Sequence, residues 1–355
     1  MNSTVHIIEE QKSAYRVVFP DPFTEPVYIE DEDQLKQLVS RLKSEGKVEY
    51  ARQLTEKWVN LNKKNFKINY KGKFLNLGQK TAVMGILNLT PDSFSDGGIY
   101  YRNIDRAVER VAQMLEEGAD IIDIGGESTR PGAAPVSLEE EMERVIPVIK
   151  AVRKELGNNF LISIDTYKAP VAKAAVEEGA DIVNDISGMT FDPKMAETVA
   201  SLDCPVVINH TRGRPDQMQE KVYYNDVVVE IIEFIENQIK YGISKGIRKD
   251  RFIIDPGIGF GKYVEHNIEI IKRLNEFRVL GYPILIGISR KSFIELILKN
   301  LTGRDSVPPE ERLSGSLGAT AYAVMNGAHI VRTHDVKETV EFLTLIDTIR
   351  GYRIV

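Results

Sequence analysis

The sequence predicts an α/β fold, a closed (β/α)8 TIM barrel with a small N-terminal α+β extension. Short apolar runs alternate with amphipathic helical segments from Ala82 onward, a βα pattern that implies parallel strands. About eight such runs occur, enough for a ring rather than an open sheet. One phrase also recurs: Gly118-Ala119-Asp120-Ile121-Ile122-Asp123, Gly179-Ala180-Asp181-Ile182-Val183-Asn184 and Gly327-Ala328-His329-Ile330-Val331-Arg332. It reads as a helix stopped by glycine, a tight turn and a buried strand. With 355 residues, the chain has room for a barrel of roughly 250 residues and an added module.

Residues 1–65 read differently from residues 66–355. Leu35, Leu38, Val39 and Leu42 recur at helical spacing, after Asp31 to Asp33 and before Gly46, which are start and stop signals. A second helix carries Ala51, Leu54, Trp58 and Leu61, and short strands fit Val5 to Ile8 and Tyr15 to Phe19. No motif assigns chemistry to this extension. Phe66 to Leu77 alternates around Lys71-Gly72, a hairpin pattern with glycine where a positive φ is wanted. The barrel strands are expected at Val83 to Leu87, Asp120 to Ile124, Phe160 to Ile164, Asp181 to Ile186, Pro205 to Ile208, Arg251 to Ile254, Pro283 to Ile288 and His329 to Arg332. Between Ser163 and Asn184 only a brief helix fits, with Pro170 at its start and Gly179 past its end.

Composition narrows the function. The chain is 43% hydrophobic and 28% charged with net charge −6, ordinary for a globular protein. It has no block of like charge, so neither a nucleic-acid nor a membrane surface is expected. No apolar run approaches the ~20 residues of a membrane helix, and Met1 to Tyr15 lacks the pattern of a signal peptide. The single cysteine, Cys204, sits before Pro205 and an apolar run. It reads as a buried structural thiol in a reducing, cytoplasmic setting.

In a TIM barrel the active site lies at the C-terminal ends of the strands. Those positions hold Asn88, Thr129 with Arg130, Asp165, Asn184 with Asp185, Asn209 with His210, Asp255, Ser289 to Lys291, and Arg332 with His334. Solvent-exposed strand ends would explain any one of them. Buried polar groups are costly unless paired, so the full ring points to a ligand with many hydrogen-bonding edges. Asp165, Asn184 and Asp255 suit a flat nitrogen heterocycle, because a carboxylate accepts paired N–H donors. Arg332, His334 and Lys291 suit a polyanion such as diphosphate. Asn88 can help seat Mg²⁺, which takes few protein ligands and prefers phosphate oxygens and water. It reads equally well as a turn asparagine. Two loops, Thr90 to Gly98 and Gly125 to Gly132, are longer and more charged than short connections need, as movable active-site loops are. Asp255 to Lys262 looks like a nucleotide loop but lacks the Rossmann spacing and setting.

Met84-Gly85-Ile86-Leu87-Asn88-Leu89-Thr90-Pro91-Asp92-Ser93-Phe94-Ser95-Asp96-Gly97-Gly98 closely resembles the opening motif of the dihydropteroate synthases. Gly125 to Gly132, Asp255 to Lys262, Ser289 to Ser292 and Arg332 to Asp335 resemble further blocks of that family, over roughly residues 66–350. The resemblance implies Mg²⁺, a homodimer, and condensation of a 7,8-dihydropterin-6-ylmethyl diphosphate with p-aminobenzoate. It implies that Asp165, Asn184, Asp255 and Lys291 hold the pterin. Asn88, Thr129, Arg332 and His334 would hold diphosphate and its metal. Phe94, Arg130, Pro131, Gly259, Phe260 and Ser292 would shape the p-aminobenzoate pocket, where sulfonamides compete. The chain departs from the pattern at Thr211, where the family commonly has methionine, and in its extension. A pterin-binding methyltransferase domain and a non-catalytic pterin-binding module remain alternatives.

Overall fold

The computed structural model describes residues 4–11, 14–20, 25–91, 100, 103–128, 132–214, 218 and 222–351. Strands β1 (His6–Gln11), β2 (Ala14–Val18) and β3 (Val27–Ile29) form an antiparallel sheet, followed by helices α1 (Glu32–Ser44) and α2 (Val48–Asn62) and the hairpin β4 (Phe66–Tyr70)–β5 (Lys73–Leu77). Eight βα units follow: β6 (Ala82–Asn88), α3 (Ile104–Glu116), β7 (Ile121–Gly125), α4 (Leu138–Leu156), β8 (Leu161–Asp165), α5 (Ala169–Glu177), β9 (Ile182–Asp185), α6 (Met195–Leu202), β10 (Val206–Asn209), α7 (Val227–Ser244), β11 (Phe252–Asp255), α8 (Val264–Lys272), β12 (Leu285–Gly287), α9 (Ser292–Thr302), α10 (Leu313–Met325), β13 (Ile330–Thr333) and α11 (Val336–Ile349). The eight strands pair in parallel in the order β11-β10-β9-β8-β7-β6-β13-β12, and a bridge between Ile254 and Ile284 closes the ring. The sheet is therefore a barrel. Its strands are buried on both faces, which is why they read as continuous apolar runs.

Several strands end one residue later than the apolar runs indicate. Asn88, Asp165, Asn209 and Asp255 are polar, yet their backbones still pair: Asn88 with Gly125, Asp165 with Asn184, and Asn209 with Asp255. Each site residue is thereby fixed to rigid sheet instead of loop. The brief helix between β8 and β9 is α5, with proline in its first turn.

The hairpin forms the barrel floor. Ile68 and Leu77 cluster with Ala82, Met84, Ile121, Leu161, Ile182, Val207, Ile253, Leu285 and Ile330, residues at or near the starts of the strands. Its turn places both Lys71 (φ 46°) and Gly72 (φ 80°) in the left-handed region, the geometry of a type I′ turn. The expectation assigned that conformation to glycine alone.

The extension packs on the barrel flank. Asp31 caps α1 by accepting the Gln34 N–H at 2.8 Å. From α2, Asn60 Nδ2 donates to Val279 O at 2.9 Å, and buried Lys57 lies 3.4 Å from Glu236 of α7. His6 of β1 lies 3.0 Å from Glu233. Val5, Val17, Leu54 and Leu61 belong to the same apolar cluster as the outer barrel core. Strand β3, only three residues long, was not anticipated, because Val27-Tyr28-Ile29 is too short to show a period. Among the described residues no helix is long and apolar enough to cross a membrane. Cys204 is buried, and burial pushes its thiol up to about 12, which makes it inert.

Candidate active site

The parallel register sets Asn88, Gly125, Asp165 and Asn184 side by side at the barrel mouth, with Asn209 beside Asp255 on the next two strands. Arg332 begins lower, paired with Met84 and Gly287. Its long side chain spans two carboxylates: Nε donates to Asp123 Oδ2 at 2.6 Å and Nη2 to Asp165 Oδ2 at 2.7 Å. Asn184 Nδ2 donates to the same Asp123 oxygen at 3.1 Å. Against burial, the two carboxylates hold the Arg332 guanidinium above its ordinary value. Burial pushes Asp165 up to about 7, with Arg332 opposing the rise and Asp123 adding to it.

The cluster leaves acceptors over. Asp123 Oδ1, Asp165 Oδ1, Asn209 Oδ1 and Ser163 Oγ are buried without a hydrogen-bond partner among the described residues. Buried polar atoms in folded proteins are nearly always paired. Two carboxylate oxygens, an amide oxygen and a hydroxyl are thus left over among the barrel strands, an acceptor set that a ligand rich in N–H donors could satisfy.

Asp255 is buried, and its Oδ1 accepts the Gly257 N–H at 2.7 Å. Burial pushes it up to about 6, against the pull of that N–H and of Lys291 and Lys262. Lys291 Nζ stands 4.2 Å from the centroid of the Phe260 ring, a cation–π distance. Gly259 lies alongside, where an added Cβ would come 3.2 Å from Lys291 Cδ. Ser292 is exposed at the first turn of α9. The Ser289 hydroxyl accepts the His334 backbone N–H at 3.2 Å and lies 3.1 Å from His334 Nδ1, which fixes the ring. Arg290 has φ 59° and its guanidinium pairs with Asp335, so the strain between β12 and α9 is held by a salt bridge. Such strain is common at functional sites.

The structure thus brings Asp165, Asn184 and Arg332 together through hydrogen bonds to or around Asp123, and sets Gly259, Phe260 and Lys291 in contact with one another. Asn88, half-buried, belongs to the first row by register. Phe94, Thr129, Arg130 and Pro131 lie outside the described residues. Asp185 serves its own turn, accepting from Ser187 N, Ser187 Oγ and Met189 N. Thr211 Oγ1 donates to Gly213 O at 3.1 Å. Sequence reasoning missed Asp123, which is fully buried at the centre of the cluster. The available signal was an acid inside the continuous apolar run Ile121-Ile122-Asp123-Ile124. No group of three His, Cys, Asp or Glu side chains that could hold a metal ion occurs among the described residues.

A family model described as pterin binding enzyme matches residues 84–334. The dihydropteroate synthase of Synechocystis sp. is 45% identical over 272 residues, covering 77% of this chain and 91% of that protein. The solved structure of Yersinia pestis dihydropteroate synthase with a sulfonamide drug complex has a TM-score of 0.75 at 40% identity, covering 81% of this chain and all of that one, 100%. Xanthomonas albilineans dihydropteroate synthase with 4-aminobenzoic acid has a TM-score of 0.72 at 40% identity, covering 81% and 99%.

Proposed function

The chain belongs to the pterin-binding enzymes and, within them, to the dihydropteroate synthases, and from that premise we infer its reaction. It condenses (7,8-dihydropterin-6-yl)methyl diphosphate with p-aminobenzoate to give 7,8-dihydropteroate and diphosphate, in folate biosynthesis. The observation that supports this most is the set of orphaned acceptors on Asp123, Asp165 and Asn209, which matches the N–H-rich edge of an aminopyrimidinone ring. None of the findings favours the methyltransferase or non-catalytic readings.

Residues 66–355 supply the catalytic unit. Asp165, Asn184, Asp255 and Lys291, with Asp123, hold the pterin. Departure of diphosphate leaves a cation that the electron-rich dihydropterin delocalises. The carboxylates of Asp123, Asp165 and Asp255 face that charge, and preorganised electrostatics of this kind is commonly the largest catalytic contribution, roughly 3–4 kcal/mol per contact. Arg332 uses Nε and Nη2 on the carboxylates, leaving Nη1 to meet the diphosphate with His334 and Thr129. The arylamine attacks as a neutral nucleophile, so no strong general base is required. Phe260, Gly259, Ser292, Phe94, Arg130 and Pro131 form its pocket and exclude water, which would otherwise capture the cation. Sulfonamides, one of which occupies the Yersinia relative's structure, compete there.

A divalent cation fits this donor set. Among the described residues there is no cluster of acidic or histidine ligands, and Asn88 offers a neutral oxygen, as suits an ion that binds chiefly phosphate and water. Mg²⁺ held by Asn88 and the substrate would neutralise charge on the leaving group. A homodimer fits the late helices, where Tyr322 and Met325 of α10 and Leu345 and Ile349 of α11 are 51%, 58%, 61% and 68% exposed. Exposed apolar side chains on two neighbouring helices suit an interface. A cytoplasmic setting fits the buried free thiol.

The test mixes the protein with the pterin diphosphate and p-aminobenzoate and measures released diphosphate. Release matched by dihydropteroate is expected, and folded protein releasing neither product overturns the reading. The dissociative route is checked separately by rapid quench without p-aminobenzoate. Cleaved pterin with diphosphate retained is expected, and its consistent absence removes that route.

A further inference from the structure

We propose that Lys262 is a positioning residue for the arylamine half of the reaction, a buried amine that clamps the loop after β11 to the loop after β10 and so sets Phe260 beneath Lys291. This role rests on the assignment of Gly259 and Phe260 to the p-aminobenzoate pocket. Lys262 is 3% exposed. Its Nζ lies 2.9 Å from His210 Nδ1, 2.9 Å from Phe260 O and 3.2 Å from His210 O. The amine donates to two carbonyl oxygens, one from each loop, and its third contact, with His210 Nδ1, takes its direction from the imidazole tautomer. Among the described residues no carboxylate pairs with it, so a charged amine here is expensive to bury. Burial indeed carries Lys262 well below its ordinary value, although Asp255 opposes the drop. A leucine or methionine would fill the space without that cost. What the amine adds is direction.

The surrounding contacts show what it directs. The two loops touch at backbone distance: a Cβ on Gly257 would fall 1.9 Å from His210 O, and one on Gly261 would fall 2.6 Å from Arg212 O. Tyr224 OH donates to Gly261 O at 3.0 Å, and Asn267 Oδ1 accepts the Gly259 N–H at 2.7 Å. His210 is itself wedged edge-on against Phe234, centroids 4.9 Å apart. Lys262 is the only group among these that holds the Phe260 carbonyl. That residue clusters with Ile186 and Met218, and Lys291 Nζ stands 4.2 Å from its ring centroid. A shift of the carbonyl therefore moves the ring that the arylamine must face.

Three variants of the full chain test this by steady-state kinetics. Lys262→Met removes the amine and keeps the length. His210→Leu removes the ring nitrogen that meets the amine, and His210→Gln retains a polar partner there. Lys262→Met and His210→Leu are expected to raise KM for p-aminobenzoate by about tenfold or more, since small misplacements weigh heavily on orientation. KM for the pterin diphosphate should stay within about twofold. His210→Gln should keep more of the arylamine affinity than His210→Leu. If Lys262→Met does not fold, the two His210 variants decide. A parallel rise of both KM values tracking a lowered Tm would show a merely structural role and overturn the proposal, as would an unchanged KM for p-aminobenzoate. Wild-type protein without turnover would instead sink the functional reading on which the proposal stands.

Discussion

Among single residues, the buried carboxylates carry the sharpest expectations. Asp255→Ala should weaken pterin binding by about 2–3 kcal/mol, the worth of hydrogen bonds to a charged acceptor, while circular dichroism stays native. Calorimetry showing unchanged pterin affinity would remove Asp255 from the site. Titration gives a second handle. Burial pushes Asp255 up to about 6, so between the ordinary carboxylate value of about 4 and that pH the folded chain holds a proton the unfolded chain has released. Its contribution to stability is complete on the acid side and is lost as pH rises through about 6. His6 and His329, both drawn down to about 4 chiefly by burial, act in the opposite sense, because the unfolded chain then binds the extra protons. The comparison with Asp255→Asn separates them. That variant should gain stability relative to wild type as pH rises from about 4 to 6, by up to roughly 3 kcal/mol; a pH-independent difference in urea midpoints would contradict the assignment. Arg332→Ala strands Asp123 and Asp165 together in the barrel and should cost about 3–5 kcal/mol of stability, read by thermal denaturation. Most of this chemistry was legible in the strand-end residues. Asp123 was not, because its partners Arg332 and Asn184 are distant in the chain and inside an apolar run an acid looks like part of the strand.

At the level of elements, legibility followed burial. Strands buried on both faces announce themselves as apolar runs, and α1 through its Asp31 cap and leucine spacing. The polar last residue of β6, β8, β10 and β11 broke the run without breaking the ladder, since backbone pairing is indifferent to side-chain polarity. Lys71 entered the left-handed region because the twist of a two-residue hairpin demands it at both positions, a constraint set by the strands and invisible in the residue itself. How the extension docks was equally hidden, as it depends on the surface that α7 and the turn Leu274–Leu280 present. Leu54, fully buried in α2, tests that docking. Leu54→Ala should cost about 2–5 kcal/mol and leave kcat/KM for both substrates near wild type. Since the extension shares the barrel's outer core, denaturant unfolding should remain a single transition; a separate early phase would show an independent unit.

For the whole molecule, the proposed dimer is tested on α10 and α11. Met325→Asp places a charge among the exposed apolar residues of α10 and α11 and should convert a dimer to monomers in sedimentation velocity, whereas a monomeric wild type would locate those residues elsewhere in the protein's biology. The β4–β5 hairpin has a different consequence. With Ile68 and Leu77 packed over the strand starts, the barrel is closed at that end among the described residues. The orphaned acceptors on Asp123, Asp165 and Asn209 are buried at the strands, and the Phe260–Lys291 contact joins the segments that follow β11 and β12. If the deep acceptors take the pterin as proposed, traffic should queue: the heterocycle would arrive first and depart last, and an arylamine that settled early would cork the vessel instead of feeding it.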